Sequence, residues 1–329
     1  MDSIFSIGTA SRDGRAFPCV IRGQRVWAIP GLPGLDHVTT TLSLFENWAA
    51  HEASLIRALE DGGIGPGLAL DTVRLEAPLM PRQIFCTGAN YKKHVAELTA
   101  KQPDPAHEGL TAEQRVERVK AMMDERARTG TPYAFVKLPS AVTGPYDKII
   151  LPSGAGEPDW ELELAVVIGK AVRNASRDEA LSCVAGYLVA NDVTVRDRIY
   201  RADMKTIGTD WLASKCAETF LPIGPWILPA RFVPDPQDLR ITLRLNGQVM
   251  QDESTADMIF DVARQIEYIS SLVRLLPGDI ICTGSPAGNG THYQRFLTPG
   301  DVVEGTITGL GTQRLVCVAE GGADAEGPL

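Results

Sequence analysis

No stretch of this 329-residue chain approaches the roughly 20 consecutive apolar residues that a membrane-crossing helix needs, so a helical membrane span is excluded. The start, Met1-Asp2-Ser3-Ile4-Phe5, lacks the basic residues and apolar region of a secretory signal, which makes a cytoplasmic location the expectation. Cysteine pairs are missing too. Cys19, Cys86, Cys183, Cys216, Cys282 and Cys317 lie far apart with no Cys-x-x-Cys, so they read as reduced core residues, not as a zinc site or disulfide framework. Lysine and arginine are nowhere concentrated and the net charge is -9, which excludes nucleic acid as a partner and leaves a small molecule. Repeats are absent, and so is the strand-helix alternation of a doubly wound nucleotide fold. What remains is an ordinary globular composition, 44% hydrophobic and 22% charged, on a chain long enough to bury a full core.

Short alternating segments, Cys19 to Arg22 and Arg25 to Ile29, precede an apolar-periodic helix predicted from Leu42 to Leu59, and the glycine-rich stretch 62–67 reads as a linker. A small N-terminal α/β domain over residues 1–75 is therefore expected, then a main domain over 76–320 and a disordered tail over 321–329. Within the main domain, a charged helix from Thr111 to Arg128 marks 98–131 as an inserted lid or oligomer contact. Strands are predicted from Leu239 to Leu245, turning at Asn246-Gly247, and at Asp279 to Thr283, Asp301 to Thr308 and Arg314 to Val318, with a helix from Ala256 to Val273. Strands outnumber helices. The expected class is mainly β with flanking helices (α+β), a mixed and mostly antiparallel sheet rolled on itself.

Chemistry concentrates in the run Asp159-Trp160-Glu161-Leu162-Glu163-Leu164-Ala165-Val166-Val167-Ile168-Gly169. Side chains of a strand alternate faces, so Glu161 and Glu163 share one, about 7 Å apart along the backbone, at the entrance to a buried strand. A polar strand edge is the plain alternative. Asp192, closing another apolar segment, adds a third carboxylate, and an all-oxygen set without His or Cys suits Mg²⁺ or Mn²⁺, with Ca²⁺ also compatible. His94 and Glu97 are three apart, which on a helix puts them on one face, either as a solvated pair or as a general base with its orienting carboxylate. Lys137 and Lys215 stand among apolar residues, where an ammonium snorkels out or meets an anion. Thr283, Gly284 and Ser285 lead a glycine-rich loop that could receive a carboxylate.

In this order the segments resemble the fumarylacetoacetate hydrolase family: Asn90 to Glu97 with its Tyr-x-x-His-x-x-Glu, Phe135 to Pro139, Asp159 to Gly169, Ala190 to Thr194, Lys215 to Pro225, Asn246 to Gln248, Met258 to Phe260, Thr283 to Pro286 and Gly309 to Thr312. The likeness covers residues 80–318. It implies a mixed β-sandwich roll acting as a homodimer. It further implies Glu161, Glu163 and Asp192 as ligands of Mg²⁺ or Mn²⁺, a water-activating His94 and Glu97, catalytic Lys137 and Lys215, and substrate contacts from Tyr91, Arg196, Thr283, Gly284 and Ser285. The activity implied is hydrolysis of a C–C bond in a 1,3-dicarbonyl or acylpyruvate-type compound, as in aromatic catabolism, through a metal-stabilised enolate. Oxaloacetate decarboxylation or tautomerisation, or isomerisation or hydration of a 2-oxo acid, is the alternative on the same site. Ile199, Glu218 and Gly288-Asn289-Gly290 depart from the family pattern toward the substrate side.

Overall fold

A computed structural model describes residues 4–61, 63–101, 109–204 and 206–322, without the side chains of residues 97–101, 112 and 116. The predicted disordered tail falls almost wholly outside these residues. The first strands pair locally: Ser6–Arg12, Arg15–Arg22 and Arg25–Ala28 form an antiparallel meander extended by Leu68–Ala69 and Arg74–Leu75. The single helix expected from Leu42 to Leu59 is two, Thr41–Phe45 and Trp48–Glu60. Asn47 leaves helical geometry (φ -139°, ψ 54°), and the break lets Phe45 and Trp48 both turn inward with ring centroids 5.3 Å apart. Both rings, with Phe5, Ile7 and Leu55, join the same buried cluster as the strands of the main sheet.

That main sheet has the order Leu228–Pro229, Val184–Asn191, Leu162–Ile168, Ile280–Cys282, Ile84–Gly88, Tyr133–Lys137. Two of its inner strands, Val184–Asn191 and Leu162–Ile168, are buried at every position, as their mostly apolar sequences require. A second sheet packs on it, with Gln248–Ser254, Arg240–Leu245, Val302–Ile307, Gly311–Ala319 and Lys148–Leu151 in that order. The sheets close where Gly305 faces Leu162; a Cβ on Gly305 would come within 2.4 Å of the leucine. The predicted Asn246-Gly247 turn joins Arg240–Leu245 to Gln248–Ser254, both residues in the left-handed region (φ 52° and 83°) that a two-residue hairpin demands. The result is a mixed α/β fold made mostly of strands. Among the described residues no helix is long and apolar enough to cross a membrane.

The helix expected from Ala256 to Val273 begins only at Val262, because Asp261 caps it by accepting from the Arg264 N–H. Met258 to Phe260 are thereby freed to run past Asn90, whose side chain clamps the Phe260 backbone through both its amide groups. Between 98 and 131, helix Ala112–Thr129 starts at the Thr111 cap and packs Val119 and Met123 on Ile259 and Phe260.

Strand direction decides where side chains meet. Ile84–Gly88 and Ile280–Cys282 run parallel, and Leu162–Ile168 runs against Ile280–Cys282. The start of Leu162–Ile168, the end of Val184–Asn191 and the exits of the two parallel strands therefore open at one edge of the sheet. Gly88 pairs with Tyr133 there, which brings in the head of Tyr133–Lys137.

Candidate metal centre and its cavity

At that edge the backbone is pinned by side chains. The Glu161 N–H donates to Asn191 Oδ1 (2.9 Å), and the Asp192 N–H donates to the Glu161 carbonyl (2.9 Å). Glu161, Glu163 and Asp192 consequently converge: each presents an oxygen within 4.8 Å of the others, and all three residues are buried. Lys137 Nζ donates to Asp192 Oδ1 (2.5 Å), and Lys215 Nζ donates to Asp192 Oδ2 (2.5 Å) and Thr194 Oγ1 (2.7 Å) and lies 3.3 Å from Glu161 Oε1. Arg196 Nε donates to Asp159 Oδ2 (2.8 Å), and its Nη2 lies 2.8 Å from Glu161 Oε1. Against burial, which alone would raise it, Arg196 and then Lys215 hold the Glu161 carboxyl down to about 2. Among the described residues Glu163 forms no ion pair. Its Oε2 accepts the Gly284 N–H (2.8 Å), while burial and then the charge of Asp192 push its pKa well up. A buried, oxygen-only triad with one carboxylate lacking a counter-charge fits a hard divalent cation such as Mg²⁺ or Mn²⁺.

His94 sits in the first turn of helix Lys92–Lys101, buried, with no hydrogen-bond partner at Nδ1 among the described residues. Burial, then the charge of Arg196, push its pKa down to about 4, so the ring is neutral at physiological pH with a lone pair to offer. Glu97 lies on the same helix, three residues on, and its side chain falls outside the described residues.

A cavity of about 790 Å³ opens over the centre. His94, Glu161, Asp192, Arg196, Lys215 and Ser285 line it, as do Tyr133, Phe135, Ile199, Tyr200, Ile207 and Trp211. The other expected residues divide between the cavity and its surroundings. Lys137 does not reach the cavity: its three donors go to Asp192, the Val193 carbonyl (3.2 Å) and the Phe220 carbonyl (2.6 Å), so it positions Asp192 from behind. Tyr91 is fully buried and lines no part of the cavity. The Thr283 hydroxyl donates to the Leu164 carbonyl (2.8 Å), the Gly284 N–H donates to Glu163, and neither residue lines the cavity. Ser285 does face the cavity, with its Oγ accepting from Gln251 Nε2 (3.0 Å). No described residue between 98 and 131 lines it.

Three features escaped the sequence reading. Asp159, fully buried, holds Arg196 and also accepts the Gly290 N–H (2.5 Å). Its parity with Glu161 and Glu163 was the available signal, since all three fall on one strand face. Thr194 bridges Lys215 and Glu161, donating to Glu161 Oε1 (3.0 Å). The aromatic group of Tyr133, Phe135 and Trp211 comes from segments far apart in the chain, and no local pattern foretells it.

Residues 83–318 match the family model described as fumarylacetoacetate (FAA) hydrolase C-terminal. The chain is 45% identical over 186 residues to a 2,4-didehydro-3-deoxy-L-rhamnonate hydrolase of Sphingomonas sp. (strain SKA58), a match over 56% of this chain and 64% of that protein, just under two thirds of its length. A mitochondrial oxaloacetate tautomerase of Bos taurus is 38% identical over 249 residues, covering 75% of this chain and 70% of the relative. Among solved structures, maleylpyruvate hydrolase from Sphingobium sp. SYK-6, in complex with manganese(II) and pyruvate, superposes with a TM-score of 0.70 at 27% identity over 94% of this chain and 99% of that one.

Proposed function

Because the chain belongs to the fumarylacetoacetate hydrolase family, we propose that it is a metal-dependent hydrolase that cleaves a C–C bond in an acylpyruvate or another 1,3-dicarbonyl acid. One observation carries the hydrolytic reading: the imidazole of His94, held neutral by burial, lines the same cavity as the buried triad. Hydrolysis needs a base for water, and a desolvated imidazole in its neutral form is one.

Glu161, Glu163 and Asp192 would hold Mg²⁺ or Mn²⁺, which when bound supplies Lewis-acid polarisation of the substrate's oxygens and a counter-charge for the enolate that leaves. His94 takes a proton from water as the hydroxide adds to the carbonyl distal to the substrate carboxylate. The C–C bond then breaks with its electron pair passing to the pyruvate half, and the imidazolium returns its proton to that carbon. In this reading Glu97 holds the ring, and the Lys215 ammonium, held in place by Asp192 and Thr194, offsets the charge that develops beside it through space. Lys137 and Asp159 act one step removed: Lys137 orients Asp192, and Asp159 orients Arg196 beside Glu161.

The relationship to an oxaloacetate tautomerase favours a second reading, keto-enol or double-bond chemistry or decarboxylation on the same site, in which water is not consumed. One assay separates the two. With Mg²⁺ or Mn²⁺ present, an acylpyruvate should lose enol absorbance and release pyruvate stoichiometrically with the acyl acid. Turnover of oxaloacetate without cleavage of any acylpyruvate would overturn the hydrolase reading in favour of the second.

A further inference from the structure

Phe135 and Trp211 stack with centroids 4.6 Å apart at 18°, and together with Tyr133 they form one wall of the cavity. The polar atoms of that wall are spent within it. Trp211 Nε1 donates to the Tyr133 hydroxyl (2.8 Å), which in turn lies 3.4 Å from Thr209 Oγ1. The surface offered to a ligand is therefore aromatic carbon, a poor host for an ion. Lys215 sits 5.2 Å from the Phe135 ring centroid, so the wall begins beside the acidic centre, within reach of the tail of a dicarbonyl bound there.

The cations of the cavity are already engaged. Among the described lining residues these are Arg196, placed between Asp159 and Glu161, and Lys215, shared by Asp192, Glu161 and Thr194. The head carboxylate of a 2,4-dioxo acid can be met at the metal centre; a second carboxylate finds no cation left over among these residues. A further carboxylate is already present instead. Glu157 lines the same cavity, half-buried, and among the described residues nothing pairs with its side chain. Its backbone is fixed, since its carbonyl accepts the Arg196 N–H (2.8 Å) and its N–H donates to Asp197 Oδ1 (3.1 Å).

We propose that this cavity selects 2,4-dioxo acids with an uncharged tail, carbon lying on the Phe135 and Trp211 wall with any hydroxyl donated to Glu157, and that Glu157 disfavours tails ending in a carboxylate. The proposal rests on the reading of the site as a dicarbonyl centre and adds the substrate class. Two carboxylates a few ångströms apart in a partly desolvated cavity repel by enough to change affinity about tenfold or more.

The test compares 2,4-dioxoheptanoate with 2,4-dioxoheptanedioate, equal in length and differing only in a methyl or carboxylate end. Binding to the Mn²⁺-loaded His94→Ala protein is measured by calorimetry, and turnover in the unsubstituted enzyme separately. The neutral-tailed acid should bind at least about tenfold more tightly, and adding Glu157→Gln should narrow that ratio severalfold by improving the dianion. Equal or tighter binding of the dianion, or a ratio unmoved by Glu157→Gln, would overturn the proposal. Selective binding without pyruvate release in the unsubstituted enzyme would instead remove the hydrolase reading and leave the selectivity standing.

Discussion

Lys137 carries its charge where its side chain has no exposed surface, and three oxygens take its three protons. Truncating one partner of such a buried pair strands the other, so Lys137→Met should lower stability by about 3–5 kcal/mol in urea unfolding with chelator present. Glu163 predicts the opposite sign. Among the described residues it is the carboxylate of the three without an ion pair, its pKa raised by burial and by Asp192. Glu163→Gln should therefore leave the metal-free protein as stable as before or more so, while a calorimetric titration shows Mn²⁺ affinity falling; unchanged affinity would take Glu163 out of the ligand set. His94→Ala should cut hydrolytic turnover at least about a hundredfold, whereas a tautomerase would keep much of its rate. The parity of Glu161 and Glu163 made that pair legible in the sequence. The difference between Lys137 and Lys215 was not, because both stand in apolar surroundings and only the tertiary fold says which one reaches the cavity. Asp159 stayed hidden for a similar reason: its partner Arg196 is 37 residues away.

Among elements, the strands were read well, since Arg240–Leu245, Ile280–Cys282, Val302–Ile307 and Gly311–Ala319 all carry period-two or continuous apolar patterns. Helix limits were read less well. Asn47 and Asp261 act through backbone geometry and capping, which apolar periodicity does not record, so one helix was not split and another was begun too early. The loop after Ile280–Cys282 owes its shape to Gly284, at φ +97°, where a Cβ would stand 2.9 Å from both the Thr87 carbonyl and the Asn90 Cβ. Gly284→Ala should cost about 1–3 kcal/mol and also weaken Mn²⁺ binding, because the N–H that holds Glu163 would shift. Thermal unfolding with and without Mn²⁺ measures both effects.

For the molecule as a whole, a cation bound only by the folded chain adds stability by mass action, about 2.7 kcal/mol at a hundred times its dissociation constant. Dialysis against chelator should lower the melting temperature by roughly 5 °C, and Mg²⁺ or Mn²⁺ should restore it. That response draws on a core shared by distant parts of the chain, for Phe45, Trp48 and Leu55 are buried in the same cluster as the strands that carry the triad. Ile7 bonds in both directions with Ile227, tying the first strand to the edge of the main sheet. On a ribosome this bridge becomes a matter of timing. About 220 residues separate the two, so at the usual pace of translation the first strand spends roughly 10–45 s beyond the exit tunnel before its partner emerges. During that interval its inward face has its own sheet and the two helices that follow for cover, while the contact with the main sheet waits for the last third of the chain.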